Sequence, residues 1–556
     1  MTTAQPFKPL MRPGVDPFSA KHKPPLPPAD YRRLTEQGLT IERNRIVPLR
    51  DGTEIFCDLY RPEGAERDLP ILLAWSPYGK HSLSNQVFWP RSGVQPEWLS
   101  TFTPFEGPDP VFWARHGFAV AVVDPRGAWL SGGDFHHNGL QEGEDCADTI
   151  EWLASLPWSN GRVGMTGVSY LAAIQYLVAP LKPEPLAALN PWEGFSDWYR
   201  EFAYHGGILE IGFLPRASDN IQYSLNRTEN TWENVQAHPL IDEFWQSKSL
   251  YLEGITQPSY VVASWSDQGL HLRGTLEAYR RMSSQQKWLE IHGQKKWAHY
   301  YRPESRERQV AFFDHFLRDR PTSVTAWPKV RLDVRERHGF AQEREEQEWP
   351  LARTEHRRLY LDIAGSLTER TPERPAELRY AAPTGRAIFD HRFDISTELT
   401  GHASLRLWVE AEGSDDMDLF IALQKLDREG EVVGFTWYAF YENGPVALGW
   451  QRVSHRALDE QRSTPEQPVH PHTQEDLLTP GDCVPVEIEI WPFSARFKTG
   501  ESLRLIIAGH DLYQRPEGVM LPFPLHEQTR NRGTHILRIG GACDSSLLLP
   551  VIPPPG

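Results

Sequence analysis

The sequence of 556 residues has little cysteine, no long apolar run and an excess of acidic over basic side chains. Its four cysteines form no C-x-x-C pair, which argues against a zinc knuckle or disulfide framework and favours reduced thiols. The net charge of −16 argues against a nucleic-acid partner, because phosphate binding needs clustered Lys and Arg. No stretch approaches the ~18 apolar residues of a membrane span, and the N-terminus lacks a signal-peptide pattern. We therefore expect a cytoplasmic protein without a membrane partner, and homo-oligomerisation stays open.

The order of predicted elements divides the chain into four parts. Residues 1–35 are Pro-rich and are expected to be disordered or extended along the surface. Residues 36–194 and 250–348 alternate apolar strands with helices, which is typical of a largely parallel sheet with covered faces. The intervening residues 195–249 are aromatic-rich and helical in tendency, which we interpret as an inserted cap. Short alternating strands over 349–556 predict an all-β sandwich.

A serine stands where an apolar strand turns into a helix, in the stretch GRVGMTGVSYLAAIQYLVA (161–179). In a parallel sheet, ligands bind at the carboxyl ends of strands, and Ser169 lies at such an end. A sharp strand-to-helix turn needs small neighbours, which Gly167 and Ala172 supply, although Leu171 replaces the last glycine of G-x-S-x-G. Alone, a serine ahead of an apolar helix is more often an N-cap than a nucleophile.

Two further strand ends supply a base and an acid that orients it, as a serine nucleophile requires. The strand YVVASWSD ends at Asp267, and the following strand leads through a loop to His299, so the order is Ser, acid, His. His292 is a competing base, but it lies within or just after its strand, where a core or surface role is more common. The sequence thus predicts a Ser169–Asp267–His299 triad, with activity falling at about pH 6 to 7 as the imidazole is protonated.

These residues lie in segments that resemble the cocaine-esterase-like (CocE/NonD) serine hydrolases, which are grouped with the Xaa-Pro dipeptidyl-peptidases. The resemblance runs from about residue 40 to the C-terminus and rests on SPYGK (76–80), DPRGAWLSGG (124–133), DTIEWLASLPWSNGRVGMTGVSYLA (148–172), WSD (265–267), WAH (297–299) and VEIEIWPFSARFKTGESLRLII (486–507). The family pattern is G-x-S-Y-x-G, so its glycine falls at Ala172. The resemblance implies an α/β-hydrolase core, a helical cap, a C-terminal jelly roll and the same triad. It also implies an oxyanion hole made by the Tyr170 backbone N–H and the Tyr78 phenol.

The predicted substrate is a small-molecule ester or amide with a bulky, largely apolar acyl group. In α-amino-ester hydrolases, carboxylates follow the triad acid by two and three positions, where this chain has Gly269 and Leu270. The Xaa-Pro dipeptidyl-peptidases carry an additional N-terminal domain, which weakens a peptidase assignment. The candidate pocket residues are the aromatic side chains Trp192, Phe195, Trp198 and Trp265. The alternatives are an Xaa-Pro dipeptidyl aminopeptidase, a β-lactam or α-amino acylase, and a non-catalytic carbohydrate-binding protein.

Two histidine-rich runs and one charged run are predicted to lie outside the candidate site. The runs FHH (135–137) and HPH (470–472) have no carboxylate partner at a fitting spacing, so we expect solvated loops and no metal. The run DVRERHGFAQEREEQEW (333–349) is predicted as a solvated interdomain stretch. No cofactor is expected.

Overall fold

The computed structural model describes residues 7–19, 29–80, 91–513 and 523–554. In the N-terminal and central parts of these ranges the strands are β1 Met11–Pro13, β2 Arg32–Glu36, β3 Leu39–Pro48, β4 Glu54–Pro62, β5 Leu69–Trp75, β6 Ala119–Asp124, β7 Ser159–Val168, β8 Leu186–Trp192, β9 Tyr204–His205, β10 Ile208–Leu209, β11 Arg227–Glu229, β12 Ser259–Ser264, β13 Lys287–His292, β14 Val330–Arg337 and β15 Phe340–Glu346.

A mixed sheet with a parallel centre carries the candidate site. Its parallel strands follow the order β6-β5-β7-β8-β12-β13-β14, and β4, β3 and β2 extend one edge in antiparallel pairing. Strands β5, β6 and β12 are buried along their whole length, which explains their continuous apolar runs. Because parallel strands end at the same edge, the residues that follow β7, β8 and β12 are brought together.

Helices cover this sheet, and shorter ones lie in the segment inserted between β8 and β12. The α-helices are α1 Pro110–Arg115, α2 Leu140–Ala154, α3 Tyr170–Val178, α4 Leu214–Asn220, α5 Thr231–Ala237, α6 Glu243–Gln246, α7 Leu272–Arg281, α8 Lys296–Tyr301 and α9 Pro303–Arg318, and a π-helix spans Tyr199–Ala203. Every residue of α3 is buried, as its sequence YLAAIQYLV predicts. Among the described residues, no helix has the length and apolar character needed to cross a bilayer.

The inserted segment is a mixture of short helices and short strands, whereas the sequence predicted helices. Part of the Pro-rich arm lies on it, because β1 pairs antiparallel with β11. The backbone of Leu10 is also held at both ends by one side chain: Leu10 N donates to Asn234 Oδ1 at 2.8 Å, and Asn234 Nδ2 donates to Leu10 O at 3.0 Å. Residues 7–19 of the arm are therefore an ordered strap on the inserted segment, whereas residues 32–35 belong to β2, which pairs with β3.

The charged run at 333–349 was predicted as a solvated interdomain stretch; its second half is largely exposed, but its first half is a half-buried strand. The run lies largely in β14 and β15, which form an antiparallel hairpin whose first strand continues the parallel sheet beside β13. Val330, Leu332 and Val334 of β14 are buried, and the charged side chains alternate with them. Arg335 of β14 also pairs with Ala495 of β26, so the run is a hairpin that contacts the β domain and has one buried face.

The C-terminal part of the chain is an all-β domain with its own hydrophobic core. Its strands are β16 Glu355–Asp362, β17 Ser366–Thr368, β18 Ala376–Ala381, β19 Arg386–Arg392, β20 Thr397–Glu412, β21 Asp418–Leu426, β22 Val432–Val433, β23 Phe435–Trp437, β24 Tyr441–Gly444, β25 Ala447–Arg452, β26 Val484–Phe497, β27 Ser502–Ala508, β28 Thr534–Ile539 and β29 Ser546–Ile552. The long strand β20 pairs antiparallel with β26, β28 and β29. A jelly-roll order of these strands stays a prediction.

The β domain contacts the loop that follows β12. Gln268 Nε2 donates to Pro492 O at 3.0 Å, and the Leu448 backbone N–H donates to Gln268 Oε1 at 3.1 Å. Arg273 of α7 pairs with Glu489 of β26 at 2.9 Å. These contacts tie the loop that carries Asp267 to the β domain.

Candidate active site

The turn between β7 and α3 holds Ser169 in an uncommon backbone conformation, with φ 61° and ψ −114°. Gly167 also has positive φ, and a Cβ atom there would lie 2.5 Å from Leu171 Cβ. The Ser169 N–H donates to the Trp192 carbonyl at 3.0 Å, which fixes the turn to the end of β8. This geometry is that of a nucleophile elbow, in which the serine hydroxyl stands clear of the sheet.

The Ser169 hydroxyl contacts the imidazole of His271, which was not among the predicted site residues. Ser169 Oγ lies 2.9 Å from His271 Nε2, and His271 Nδ1 forms a short hydrogen bond with Asp267 Oδ2. All three residues are buried. The contact order from nucleophile to base to acid is the one that a serine hydrolase needs.

The structure does not bring His299 to Ser169, so the prediction of His299 as the base is corrected. His299 Nε2 lies 2.6 Å from Glu290 Oε1 of β13. Its ring stacks on that of His292, with centroids 3.7 Å apart, and His292 Nε2 lies 3.0 Å from Glu193 Oε1. The physical reason is that His299 lies on the buried helix α8 rather than in a loop, and the carboxylate of the neighbouring strand binds it there.

A short sequence signal could have found His271. His271 follows Asp267 by four residues, in a turn with Gly269 at φ 88° just before α7 begins. A histidine so close in the chain to the predicted acid is a candidate base to set beside His299. It also keeps the order Ser, acid, His.

A cation completes the buried cluster. Lys296, the first residue of α8, donates from Nζ to Asp267 Oδ2 at 2.9 Å, and the same atom lies 2.9 Å from His271 Nδ1. Burial raises the pKa of Asp267, but Lys296 and His271 outweigh it and lower that pKa below its usual range. Asp267 is therefore an anion at any working pH.

Two tyrosines flank the nucleophile as the resemblance implies. Burial and the Glu106 carboxylate raise the pKa of the Tyr78 phenol well above its usual range, while a hydrogen bond with Ser169 opposes them, so the phenol stays protonated. The Tyr170 backbone N–H is the first of α3, where helix geometry offers it no acceptor within the helix. Its side chain donates to Glu142 Oε2 at 2.8 Å, which holds Tyr170 in place.

An apolar cavity opens from Ser169 toward the inserted segment. Phe195 and Trp198, two predicted pocket residues, lie in its wall. The remaining wall consists of Tyr78, Ser169, Tyr170, Phe202, Phe213, Leu214, Ala217, Ser218, Ile221, Thr231, Leu270 and His271. None of these described residues is acidic, and none is Lys or Arg, so the cavity is apolar apart from hydroxyl groups and the reacting side chains.

The other two predicted pocket residues lie outside this cavity. The Trp192 ring packs on Tyr300 and His299, and its Nε1 donates to Asn190 Oδ1 at 2.9 Å. Trp265 packs on Trp349, and its Nε1 donates to Asp333 O at 2.9 Å. Both indoles are satisfied core residues, so their assignment to the pocket is corrected.

The histidine-rich runs are not the solvated loops that were predicted. His137, His470 and His472 are buried. His137 Nε2 lies 3.0 Å from Thr228 Oγ1, and His470 Nε2 lies 2.9 Å from Glu487 O. Within the described ranges, no group of three or more His, Cys, Asp or Glu side chains is arranged to hold a metal ion.

Comparison with known proteins gives two family matches. Residues 51–222 and 214–301 match the model for X-Pro dipeptidyl-peptidase of the S15 family. Residues 323–548 match the X-Pro dipeptidyl-peptidase C-terminal non-catalytic domain. The second match covers the β domain described above.

Individual relatives include esterases and family hydrolases. A crystal structure of a CocE/NonD family hydrolase from Staphylococcus aureus is 37% identical and superposes with a TM-score of 0.89, covering 93% of this chain and 94% of that one. Cocaine esterase from a Rhodococcus species is 29% identical over 61% of this chain, and the match spans 65% of the esterase's own length. An α-amino acid ester hydrolase structure shares the fold at 17% identity, with a TM-score of 0.70 and coverage of 97% and 100%.

Proposed function

The chain belongs to the CocE/NonD family of hydrolases, and we propose that it is a serine hydrolase that cleaves carboxylic esters or amides with a bulky, largely apolar acyl group. One observation carries this proposal: the hydrogen-bonded series from Ser169 through His271 to Asp267 opens into an apolar cavity. A nucleophile with its base and acid, facing a pocket for an acyl group, fits acyl transfer.

Acylation of Ser169 begins when its Oγ attacks the carbonyl carbon and its proton passes to His271 Nε2. Asp267 holds the imidazole with Nε2 toward the serine. The carbonyl oxygen becomes an oxyanion, which accepts hydrogen bonds from the Tyr78 phenol and the Tyr170 N–H. When the bond to the leaving oxygen or nitrogen breaks, His271 Nε2 gives its proton to that atom. The products are an acyl-Ser169 ester and a free alcohol or amine.

Deacylation repeats these steps with water. His271 Nε2 takes a proton from the water while the water oxygen bonds to the acyl carbon. The second oxyanion uses the same two donors, and its collapse breaks the bond to Ser169 Oγ. His271 returns the proton to Ser169, and the carboxylic acid leaves.

The cavity favours a neutral acyl group over one that carries an ammonium group. An ammonium in an apolar site needs a carboxylate partner, because a buried unpaired charge is costly. The cavity wall, as described, offers none, and Leu270 stands at one of the two positions where α-amino-ester hydrolases carry a carboxylate. We therefore propose aryl or bulky aliphatic acyl groups as the substrate class.

A matched pair of esters tests this proposal. The p-nitrophenyl esters of phenylacetate and phenylglycine differ only by one ammonium group. We expect kcat/KM to be at least about tenfold higher for the phenylacetyl ester, because binding of the phenylglycyl ester would bury an ammonium group without a carboxylate partner. Equal rates or a preference for phenylglycyl would contradict the proposed substrate class. Hydrolysis that persists in Ser169→Ala would contradict the proposed enzyme itself.

Xaa-Pro dipeptide amides are a second candidate substrate, because the catalytic half matches the X-Pro dipeptidyl-peptidase model. A dipeptidyl-peptidase must bind a free N-terminal ammonium. The apolar wall makes this the weaker candidate, and a panel of Xaa-Pro p-nitroanilides tests it directly. Turnover of these amides faster than of the phenylacetyl ester would favour the peptidase.

Leu270→Asp should change the acyl preference toward α-amino esters. The substitution places a carboxylate in the cavity wall, where it pairs with a substrate ammonium. We expect the ratio of kcat/KM for phenylglycyl over phenylacetyl ester to rise by about tenfold or more. Leu270→Asn is the matched control, because it has the same size without the charge. An equal change in both variants would show that polarity or lost packing, rather than charge, sets the preference.

A further inference from the structure

The cluster behind His271 contains a cation that a Ser–His–Asp mechanism does not use. Lys296 is buried, with 5% of its side chain exposed. Its Nζ lies 2.9 Å from Asp267 Oδ2 and 2.9 Å from His271 Nδ1, so one ammonium group touches both members of the acid–base pair. In the usual arrangement the carboxylate stabilises the imidazolium, and a cation at the same oxygen removes part of that stabilisation.

We propose that Lys296 is a positioning residue that fixes the Asp267–His271 pair and keeps the His271 imidazole neutral, and so able to act as a base, in acidic solution. This inference rests on the proposed function, since it concerns how His271 works as the base for Ser169. It goes beyond that function because it assigns a role to a residue outside the triad and predicts the pH range of the reaction.

The groups that face His271 come from four elements. Asp267 lies on the same loop, Lys296 on α8 and Ser169 at the start of α3. Phe195, which follows β8, stacks on the imidazole with centroids 6.2 Å apart and brings no charge. His271 thus meets one anion and one cation.

Two further carboxyl groups stand behind these charges. Glu193 lies 4.0 Å from Lys296, and burial raises its pKa well above the usual range although Lys296 opposes this. Burial likewise raises the pKa of Glu106 to about 8, again opposed by Lys296. In acidic solution both carboxyls are protonated and neutral. They cannot compensate an additional positive charge on His271.

The charge balance of the buried cluster then favours a neutral imidazole. With Asp267 as the anion and Lys296 as the cation, the cluster has no net charge, and protonation of His271 would leave one unbalanced positive charge away from water. Burial and the Lys296 ammonium lower the pKa of His271 to about 4, while Asp267 opposes them. Without Lys296, the same protonation would neutralise Asp267 and become favourable.

The direction of the pH dependence follows from these charges. The reaction needs the neutral imidazole, so kcat/KM is lost as the pH falls through the pKa of His271. A lowered pKa extends the active range into acid. We expect the wild-type protein to lose half of its maximal kcat/KM at about pH 5 or below, compared with about 6.5 for an unperturbed histidine.

Lys296→Met tests this role, because it keeps the length of the side chain and removes the charge. We expect its half-maximal point to move up by about one pH unit or more, since Asp267 then stabilises the imidazolium unopposed. Lys296→Arg keeps the charge and should retain most of the acid activity. Lys295→Met is the matched control, because Lys295 pairs with Glu442 at 2.8 Å and contacts no triad residue. It should leave the profile unchanged.

The profiles are measured with the phenylacetyl ester by titrating released acid or separating products, and melting curves show the range in which each variant is folded. A Lys296→Met profile that superposes on the wild type overturns the inference. A wild-type half-maximal point at or above about pH 6.5 overturns it without any variant. Activity that survives in Ser169→Ala would instead remove the proposed function. If Ser169→Ala is inactive and the pH profile of Lys296→Met is the same as that of the wild type, the proposed function stands and only the role of Lys296 is contradicted.

Discussion

Ser169→Ala and His271→Ala should each lower kcat for the phenylacetyl ester by on the order of 10⁴-fold or more, because nucleophile and base act as one unit. His299→Ala should retain kcat within about tenfold of the wild type. His299 is bound to Glu290 at 2.6 Å and stacks on His292, so its loss affects packing rather than proton transfer from Ser169. Steady-state kinetics on the three purified variants measure this contrast.

A control is needed because His299→Ala removes a partner from a buried carboxylate, which costs stability. His299→Gln keeps a hydrogen-bond donor toward Glu290 and should melt closer to the wild type than His299→Ala does. Rates are compared at a temperature at which every variant is folded. An inactive His299→Gln variant beside an active His271→Ala variant would restore the assignment drawn from the sequence.

Tyr78→Phe should lower kcat by ~10²–10³-fold, or about 3 to 4 kcal/mol, and change KM much less. The phenol hydroxyl is expected to stabilise charge that develops only in the tetrahedral intermediate, so its loss appears in kcat. The substitution removes one oxygen atom and almost no volume. The ring contact with Phe105, at 5.0 Å between centroids, is retained.

A melting curve of Tyr78→Phe separates catalysis from packing. If the hydroxyl is a donor to the oxyanion, kcat falls while the melting temperature stays near that of the wild type. If Tyr78 only packs at the sheet edge, the substitution lowers stability and leaves kcat within about threefold. The second result would leave Tyr170 as the remaining donor of the two proposed.

The α/β part of the fold could be predicted because its strands are buried on both faces. Runs such as AVAVVD in β6 are too continuous for a half-exposed strand, and they predict a covered parallel sheet. The hairpin of β14 and β15 was missed although β14 alternates apolar and charged residues, because its many charges resemble a solvated segment. Every second residue at the start of β14 is apolar, as a strand with one buried face requires, but the many charged residues made this alternation hard to recognise.

The site was predicted where it depends on strand ends and missed where it depends on packing between elements. Ser169 and Asp267 follow buried strands of one sheet, so chain order alone brings them to one edge. The choice between His271 and His299 depends on how the loop after β12 turns and on where α8 begins. Those are tertiary features, and the WAH resemblance favoured His299. The contacts of Lys296 depend on the same packing.

Covalent labelling of Ser169 by a fluorophosphonate tests the assignment of His271 as the base most directly, since only an activated serine reacts quickly. Intact-protein mass spectrometry of the wild type, His271→Ala and His299→Gln at neutral pH gives the rate of labelling at one residue, free of substrate preference. We expect rapid stoichiometric labelling of the wild type and of His299→Gln, and labelling of His271→Ala slowed by on the order of 10³-fold or more. Rapid labelling of His271→Ala together with an unreactive His299→Gln would contradict the Ser169–His271–Asp267 site.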